Sequence, residues 1–369
     1  MKILLINECS NLHTTLAKGL RQLGHDVTTL SGGNGWRNYP RDISLVRQNA
    51  SHLDGVRYLA QLYTLLPRLR HYDVVQVTNP IMFDVRAERQ FFIYNFLRRH
   101  NGSIFLGAFG TDHYWVKTCS ECSVLRYSDH NIGNQLRTNR DAIIDRREWL
   151  GTAKERLNQH IAATCDGIIP CLYEYWACYQ PLFPEKTRFI PLPIEVSQIA
   201  GTFSQTYEKI KVFIGIDQER NEYKGTDIML KAAEDLQKKY PERMLLKKAV
   251  SVPFAEYQHL MDDCDIILDQ LYSYTPAMNA LLAMSKGIVV VGGGEPESYD
   301  LIGEQELRPI VNVQPSYDSV YHELEQLILH PERIPELKRQ SVEYVRRHHD
   351  YIKVAQQYEQ FYIEKNRKA

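Results

Sequence analysis

The strongest constraint on this chain is a repeated beat: short apolar runs alternate with longer segments whose apolar residues recur at helical spacing. Lys2–Ile6 reads as a strand, and 12–23 places Leu12, Leu16, Leu20 and Leu23 on one helical face before Gly24-His25 ends it. A strand at 26–30 follows. The beat continues through strand 73–77, helix 84–100, strand 103–108, helix 151–164, strand 167–170, helix 172–180 and strand 188–191. Strands separated by helices imply crossover connections and parallel sheets, so the fold class is α/β. Segment 191–209, punctuated by proline and then rich in Ser, Thr and Gln, reads as a linker. A second series follows it: strand 211–215, helix 225–239, strand 244–248, helix 253–262, strand 265–269, helix 276–286, and strands 288–291 and 309–313. At 369 residues two domains are expected, an N-terminal one over 1–195 and a C-terminal one over 205–348, with a helical tail over 349–369. Two doubly wound α/β domains imply a cleft between them, with ligands beyond the carboxyl ends of strands.

Composition excludes several other classes. Forty-four basic against forty-five acidic side chains leave a net charge of −1, which argues against a dedicated nucleic-acid or polybasic membrane surface and leaves room for a local basic pocket. No apolar run approaches the length that spans a bilayer, and the start is too short for a secretory signal. Seven cysteines, an odd number scattered from Cys9 to Cys264, do not form the framework of a disulfide-rich secreted domain. A reduced, cytoplasmic protein is expected. Cys119 and Cys122, with His113 and His130 nearby, form a single C-x-x-C that reads more readily as ordinary thiols than as a zinc site, and no metal is expected.

Several motifs, in order along nearly the whole chain, resemble the GT-B glycosyltransferases, and above all their large retaining family that uses nucleotide sugars. Gly215-Ile216-Asp217, Arg220 and Tyr223-Lys224-Gly225 resemble that family's G-R-x-x-x-x-K-G region. Leu281 to Gly287 with Val289-Val290-Val291 is similar to its A-L-E-A-M-A-x-G-x-P-V-V block, and Ile190 to Glu195 to its I-P-N-P-I-D junction after Cys165 to Ile169. Leu16-Ala17 through Leu23-Gly24-His25-Asp26-Val27 resembles its first helix and second strand, and Gly110-Thr111-Asp112 its H-G-T-D loop. The resemblance implies two Rossmann-like domains facing across a cleft, a C-terminal helix crossing back to the N-terminal domain, and transfer of a sugar from a nucleotide-diphosphate donor to an acceptor hydroxyl. It also implies retention, no metal and no further cofactor. Partners would be the donor and a carbohydrate or lipid-linked acceptor, with peripheral membrane contact, no transmembrane segment and no nucleic acid. The chain departs from the family too. Its paired glutamates fall on Tyr274 and Leu282, the histidine before G-T-D is Phe109, and 113–150 reads as an insertion into the first domain. A transfer-inactive nucleotide-sugar-binding partner protein and a nucleotide-sugar epimerase are therefore alternatives.

Donor-side candidates are Arg220, Lys224, Gly225, Tyr274, Thr275, Asn279, Glu295 and Glu297. Cations aimed at a departing diphosphate act in the transition state, and Lys224 just precedes a helix whose amino end also favours an anion. Solvated loop charges are the plain alternative. Thr275-Pro276 reads equally as a helix cap with proline at the first position, and Glu295-Pro296-Glu297 after Gly292-Gly293-Gly294 as a capped turn or a pair of hydroxyl-binding carboxylates. On the acceptor side, Asp112 and His13 are the catalytic candidates and Ser10 and Asn11 the binding ones; turn formation and helix capping are their bland readings. The tail should present Ile352, Ala355, Tyr358, Phe361 and Tyr362 on one apolar face.

Overall fold

The computed structural model of the chain describes residues 1–33, 38–196, 203–252 and 254–366. It divides into two compact units, one of Met1–Thr118, Asp145–Pro193 and Tyr351–Ala369, the other of Cys119–Ile144 and Ile194–Asp350. Of the expected linker, 197–202 lie outside the described residues, as do Pro253 at the head of one expected helix and 367–369 of the tail.

The first unit is built on strands β1 (Lys2–Ile6), β2 (Asp26–Ser31), β3 (Ile43–Ser44), β4 (Val74–Val77) and β5 (Ser103–Ala108). After the short antiparallel pair β6 (Asn131–Ile132) and β7 (Gln135–Leu136), which belongs to the other unit, β8 (Gly167–Pro170) completes the sheet. The order is β3-β2-β1-β4-β5-β8, all parallel. Ile3 to Ile6 and Ile104 to Leu106 are wholly buried, as central strands covered on both faces require. Helix Leu12–Gln22 buries Leu12, Leu16 and Leu20 as its spacing predicts. Segment 188–191 is no strand. Arg188 and Ile190 donate their amides to Ile168 and Pro170 carbonyls, but Pro191 and Pro193 have no N–H to carry the ladder on.

The tail crosses back onto this unit. Helix Tyr351–Glu364 buries Val354, Ala355, Tyr358, Phe361 and Tyr362, with Val354 in the place expected of Ile352. Phe361 and Tyr362 pack on Phe105 at ring separations of 5.4 and 4.7 Å, and the Tyr362 hydroxyl donates to Gln76 Oε1 at 2.5 Å. Gly19 lets this helix approach: a Cβ there would lie 2.6 Å from the Tyr351 carbonyl oxygen.

The second unit carries β9 (Ile210–Ile216), β10 (Met244–Val250), β11 (Ile266–Leu268), β12 (Val289–Gly292) and β13 (Val311–Asn312) in the parallel order β10-β9-β11-β12-β13. Its core gathers Val212, Ile214, Met229, Leu236, Val289, Val291 and Leu324. The chain enters and leaves side by side, since Ile194 donates to the His349 carbonyl at 2.7 Å. The segment expected as an insertion of the first domain divides. Helix His113–Ser120 begins in the first unit, whereas Cys119–Ile144 packs with the second, because Arg126, Tyr127 and Arg137 find their partners there.

Candidate functional site

In the second unit the loops at the carboxyl ends of β9, β11 and β12 bring most donor-side candidates together. Arg220 caps the short helix Asn221–Lys224, its guanidinium 4.6 Å from the Tyr223 ring centre. Gly225, at φ 71°, ends that helix and starts the next, Thr226–Lys239, a left-handed turn that a side chain would strain. The Lys224 carbonyl accepts the Leu271 amide at 3.0 Å, tying this turn to the loop after β11. In that loop the buried Asp269 carboxylate accepts a hydrogen bond from Asn279 Nδ2 at 3.3 Å. Burial pushes the Asp269 pKa up, against the Asn279 bond and the nearby Lys224 charge. Lys224, Asp269 and Asn279 thus converge from two neighbouring strands.

Thr275 does not stand at the cap position. The helix it was expected to open runs Met278–Ser285 with Ala277 at its cap and no side-chain bond there; the Thr275 carbonyl instead accepts the Ser273 hydroxyl at 2.7 Å. The start slips because Ala277 still holds extended backbone. Tyr274 and Glu295 are joined by backbone, the Glu295 amide donating to the Tyr274 carbonyl at 3.1 Å. Both are buried against the 119–144 segment. Tyr127 donates its hydroxyl to Glu295 Oε1 at 2.6 Å, Gln314 Nε2 donates to the same oxygen at 2.7 Å, and Arg126 Nη2 to Oε2 at 2.7 Å. Arg126 also binds Glu297, sits 5.0 Å over the Tyr274 ring, and sends its amide N–H to the Tyr274 hydroxyl at 2.7 Å. Burial would raise the Glu295 pKa, but the bonds from Tyr127, Asn312 and Gln314, with the Arg126 charge, hold it below the usual carboxylate range. Glu295 is therefore an anchor for the segment, with its oxygens already engaged.

Arg126, Tyr127 and Arg137 are the residues that sequence reasoning missed. Arg137 donates to the Tyr223 carbonyl at 3.0 Å and the Glu222 carbonyl at 2.5 Å, and its guanidinium lies 3.5 Å from the Tyr272 ring centre. The one usable signal was the dense Arg, His and Asn content of 113–150. If Glu295 anchors the segment, Tyr127→Phe should cost about 1–2 kcal/mol in chemical denaturation, the worth of one buried hydrogen bond. It should also expose 119–144 to limited proteolysis. An unmoved midpoint with unchanged cleavage would show that the segment is held elsewhere.

The acceptor-side candidates lie in the first unit and are structurally engaged. Asp112 caps helix His113–Ser120: its Oδ1 accepts the Trp115 amide at 2.9 Å, and its Oδ2 accepts the Tyr179 hydroxyl at 2.6 Å. Tyr179 in turn accepts Asn158 Nδ2 at 3.0 Å, and Asn158 Oδ1 accepts the His113 amide, closing a buried network. Burial raises the Asp112 pKa to about 6 against these bonds. His13 is fully enclosed. Its Nδ1 is 2.8 Å from the Asn7 carbonyl, and its Nε2 is 2.9 Å from Gln76 Nε2, so Nδ1 carries the proton and Nε2 accepts. Burial lowers its pKa to about 4. The structure thus places Asp112 at a helix cap and His13 in the core of the first unit, each hydrogen-bonded within the protein.

Nor do Ser10 and Asn11 cap. Asn7, Ser10 and Asn11 all hold positive φ, and Asn11 stands at the cap of helix Leu12–Gln22 without a side-chain bond. Glu8 does the capping from outside, accepting the amides of His13 at 3.2 Å and Thr14 at 2.9 Å and the Thr14 hydroxyl at 2.6 Å. All seven cysteines are free thiols. Among the described residues no group of three His, Cys, Asp or Glu side chains is placed to hold a metal ion, and no helix is long and apolar enough to cross a membrane.

Two parallel α/β units with a C-terminal helix returning to the first give this chain the GT-B glycosyltransferase fold. Among solved structures it is similar to sucrose-phosphate synthase from Thermosynechococcus elongatus, with a TM-score of 0.63, 13% identity and 99% of each chain covered. HepE from Anabaena, solved with UDP and glucose, matches at a TM-score of 0.59 and 12% identity over 98% of each chain. The catalytic domain of starch synthase IV from Arabidopsis thaliana, bound to ADP and acarbose, matches at 0.55 and 11% over 99% of each. No protein-family model matches the sequence, and a comparison with curated proteins finds no match.

Proposed function

We propose that this protein is a glycosyltransferase that moves a sugar from a nucleotide-diphosphate sugar to an acceptor hydroxyl, with retention and without a metal. The observation that carries the reading is the convergence of Lys224, Asp269 and Asn279 at the carboxyl ends of the paired strands β9 and β11. That is where open parallel sheets hold ligands. Lys224 and Arg220 supply cations, and helix Thr226–Lys239 directs its amino-terminal N–H groups to the same end of the sheet. Together they can stabilise charge on a departing diphosphate, which is where transferase catalysis needs it. The solved structures of similar fold support the choice of donor, since HepE is recorded with UDP and glucose and the starch synthase with ADP.

The test is calorimetry with UDP, ADP and their sugar conjugates, followed by release of the nucleoside diphosphate in the presence of a sugar acceptor. Lys224→Ala is expected to weaken nucleoside-diphosphate binding about tenfold, the loss of one charge-assisted contact, with the melting temperature unchanged. Equal affinity in that variant would remove Lys224 from the site.

A second reading, a nucleotide-sugar-binding partner that has lost transfer, is favoured by one observation. The positions of the family's paired glutamates hold Tyr274 and Leu282, and the nearby Glu295 is engaged by Arg126, Tyr127 and Gln314. Binding without nucleoside-diphosphate release across a panel of acceptors would establish that reading.

A further inference from the structure

Arg137 grips a turn that lies far from it in sequence. It stands just after β7 in the segment that packs with the second unit, and it is buried there. Its Nη1 donates to the Ser128 and Asp129 carbonyls at 3.3 and 3.2 Å and to the Tyr223 carbonyl at 3.0 Å, while Nη2 donates to the Glu222 carbonyl at 2.5 Å. One planar fork thus fastens its own hairpin to residues 85 and 86 positions away. The guanidinium also lies flat enough on Tyr272, 3.5 Å from the ring centre, to reach the loop after β11. Beside it the rings of His130 and Tyr223 meet edge to face at 6.3 Å, so the segment holds Tyr223 by its ring as well as by its carbonyl.

The grip falls on the two residues that precede Lys224. The last carbonyls of a helix have no partner within it. In helix Asn221–Lys224, Arg137 serves those of Glu222 and Tyr223, and the Leu271 amide serves that of Lys224. The backbone of Lys224 is therefore fixed on both sides, and its charge is held near Asp269. Left bare, the same carbonyls would carry partial negative charge within two residues of the ammonium that is to meet a diphosphate. Arginine suits this task and lysine does not. Its N–H groups lie in one rigid plane, so they serve carbonyls of two segments at once while the face rests on a ring.

We infer that Arg137 is a positioning residue for the donor: from the 119–144 segment it holds the Glu222-Tyr223 backbone so that Lys224 faces the diphosphate. The inference rests on the reading of Lys224 as a diphosphate contact. It gives the segment a part in donor binding that needs no contact with the donor itself.

Calorimetry of the full chain with UDP and with ADP tests it. Arg137→Met and Arg137→Lys should each weaken binding of the nucleotide that the wild type takes by about tenfold, as much as removal of the Lys224 ammonium. Lysine should give no rescue, since it keeps the charge and loses the fork. In the Lys224→Ala background the same substitutions should cost no more than about threefold further, the mark of two residues acting as one. A merely structural role would lower the melting temperature and leave the affinity of the folded protein unchanged. Should the Arg137 variants fail to fold, Tyr272→Leu, which removes the ring and none of the donors, replaces them in the same cycle. Full affinity in the lysine variant, or a loss that multiplies with that of Lys224→Ala, would overturn the inference and leave the transferase reading standing. Binding of neither nucleotide by the wild type would strike the transferase reading, and this inference with it.

Discussion

Replacing Gly293 with alanine is expected to displace the loop after β11 and to destabilise the second unit by about 3 kcal/mol, the upper range for overpacking a buried site. A Cβ at Gly293 would stand 2.0 Å from the Ser273 carbonyl oxygen and 2.5 Å from its carbon. Both are backbone atoms, so no rotamer change relieves the clash. The loops on either side are pinned: Gly294 donates to Asn312 Oδ1 at 3.0 Å, and Glu295 to the Tyr274 carbonyl at 3.1 Å. Moving them disturbs the bed on which Arg126 and Tyr127 lie. Thermal unfolding should fall by roughly 6–12 °C. If the donor binds beyond this end of the sheet, nucleoside-diphosphate affinity should fall in the same variant. Gly303→Ala is the control: a Cβ there meets nothing within 4 Å, and only its positive φ of 74° is strained. It should cost about 1 kcal/mol. A Gly293 variant no less stable than the Gly303 variant would show that the loops yield freely.

The sequence displayed the sheets and the returning helix because their information is local. Leu12, Leu16 and Leu20 repeat at helical spacing, and the residues from Ile3 to Ile6 or from Val289 to Val291 are continuous apolar runs that a doubly covered strand explains. Helix His52–Leu65 escaped that reading because its apolar residues lie on both sides, Tyr58 and Leu62 inward and Leu53, Val56 and Tyr63 outward, which blurs the period. The site was half legible. Lys224 and Gly225 stand where a strand-helix junction puts them, but two of the partners of Glu295, Arg126 and Tyr127, are 169 and 168 residues away in sequence. No spacing rule reaches Arg126 or Tyr127. The cap of the first helix was misplaced for a subtler reason: Asn7, Ser10 and Asn11 take left-handed backbone, which turns Glu8, outside the usual cap position, toward the free N–H groups.

The stability of the first unit should carry two opposed pH dependences that nearly hide each other between about pH 4 and 6.5. Asp112 has its pKa raised by burial to about 6, above the ordinary 3.8. Its protonated form is thus favoured in the fold, and the stability this brings is present at low pH and lost as pH rises toward 6. His13 has its pKa lowered by burial to about 4 from 6.5. Its neutral form is favoured, and that stability is present above pH 6.5 and lost as pH falls toward 4. Each contribution is about 3 kcal/mol. Asp112→Asn keeps an acceptor for the Trp115 amide and offers a donor to the Tyr179 oxygen, yet cannot titrate. Relative to wild type, its unfolding free energy should rise by about 3 kcal/mol between pH 4 and 6. His13→Gln, which can still donate to the Asn7 carbonyl and accept from Gln76, should show the opposite trend, its difference from wild type falling over pH 4 to 6.5 by a similar amount. Differences from wild type at each pH cancel the other carboxylates, so chemical denaturation across this range reads the two groups directly. Flat differences would mean that neither group is held in the protonation state its burial imposes. The same Asp112→Asn variant separates capping from chemistry. A cap preserves turnover to within a few-fold, whereas loss of a general acid or base would lower it by roughly a hundredfold. With both Asp112 oxygens committed to Trp115 and Tyr179, the expected result is the first.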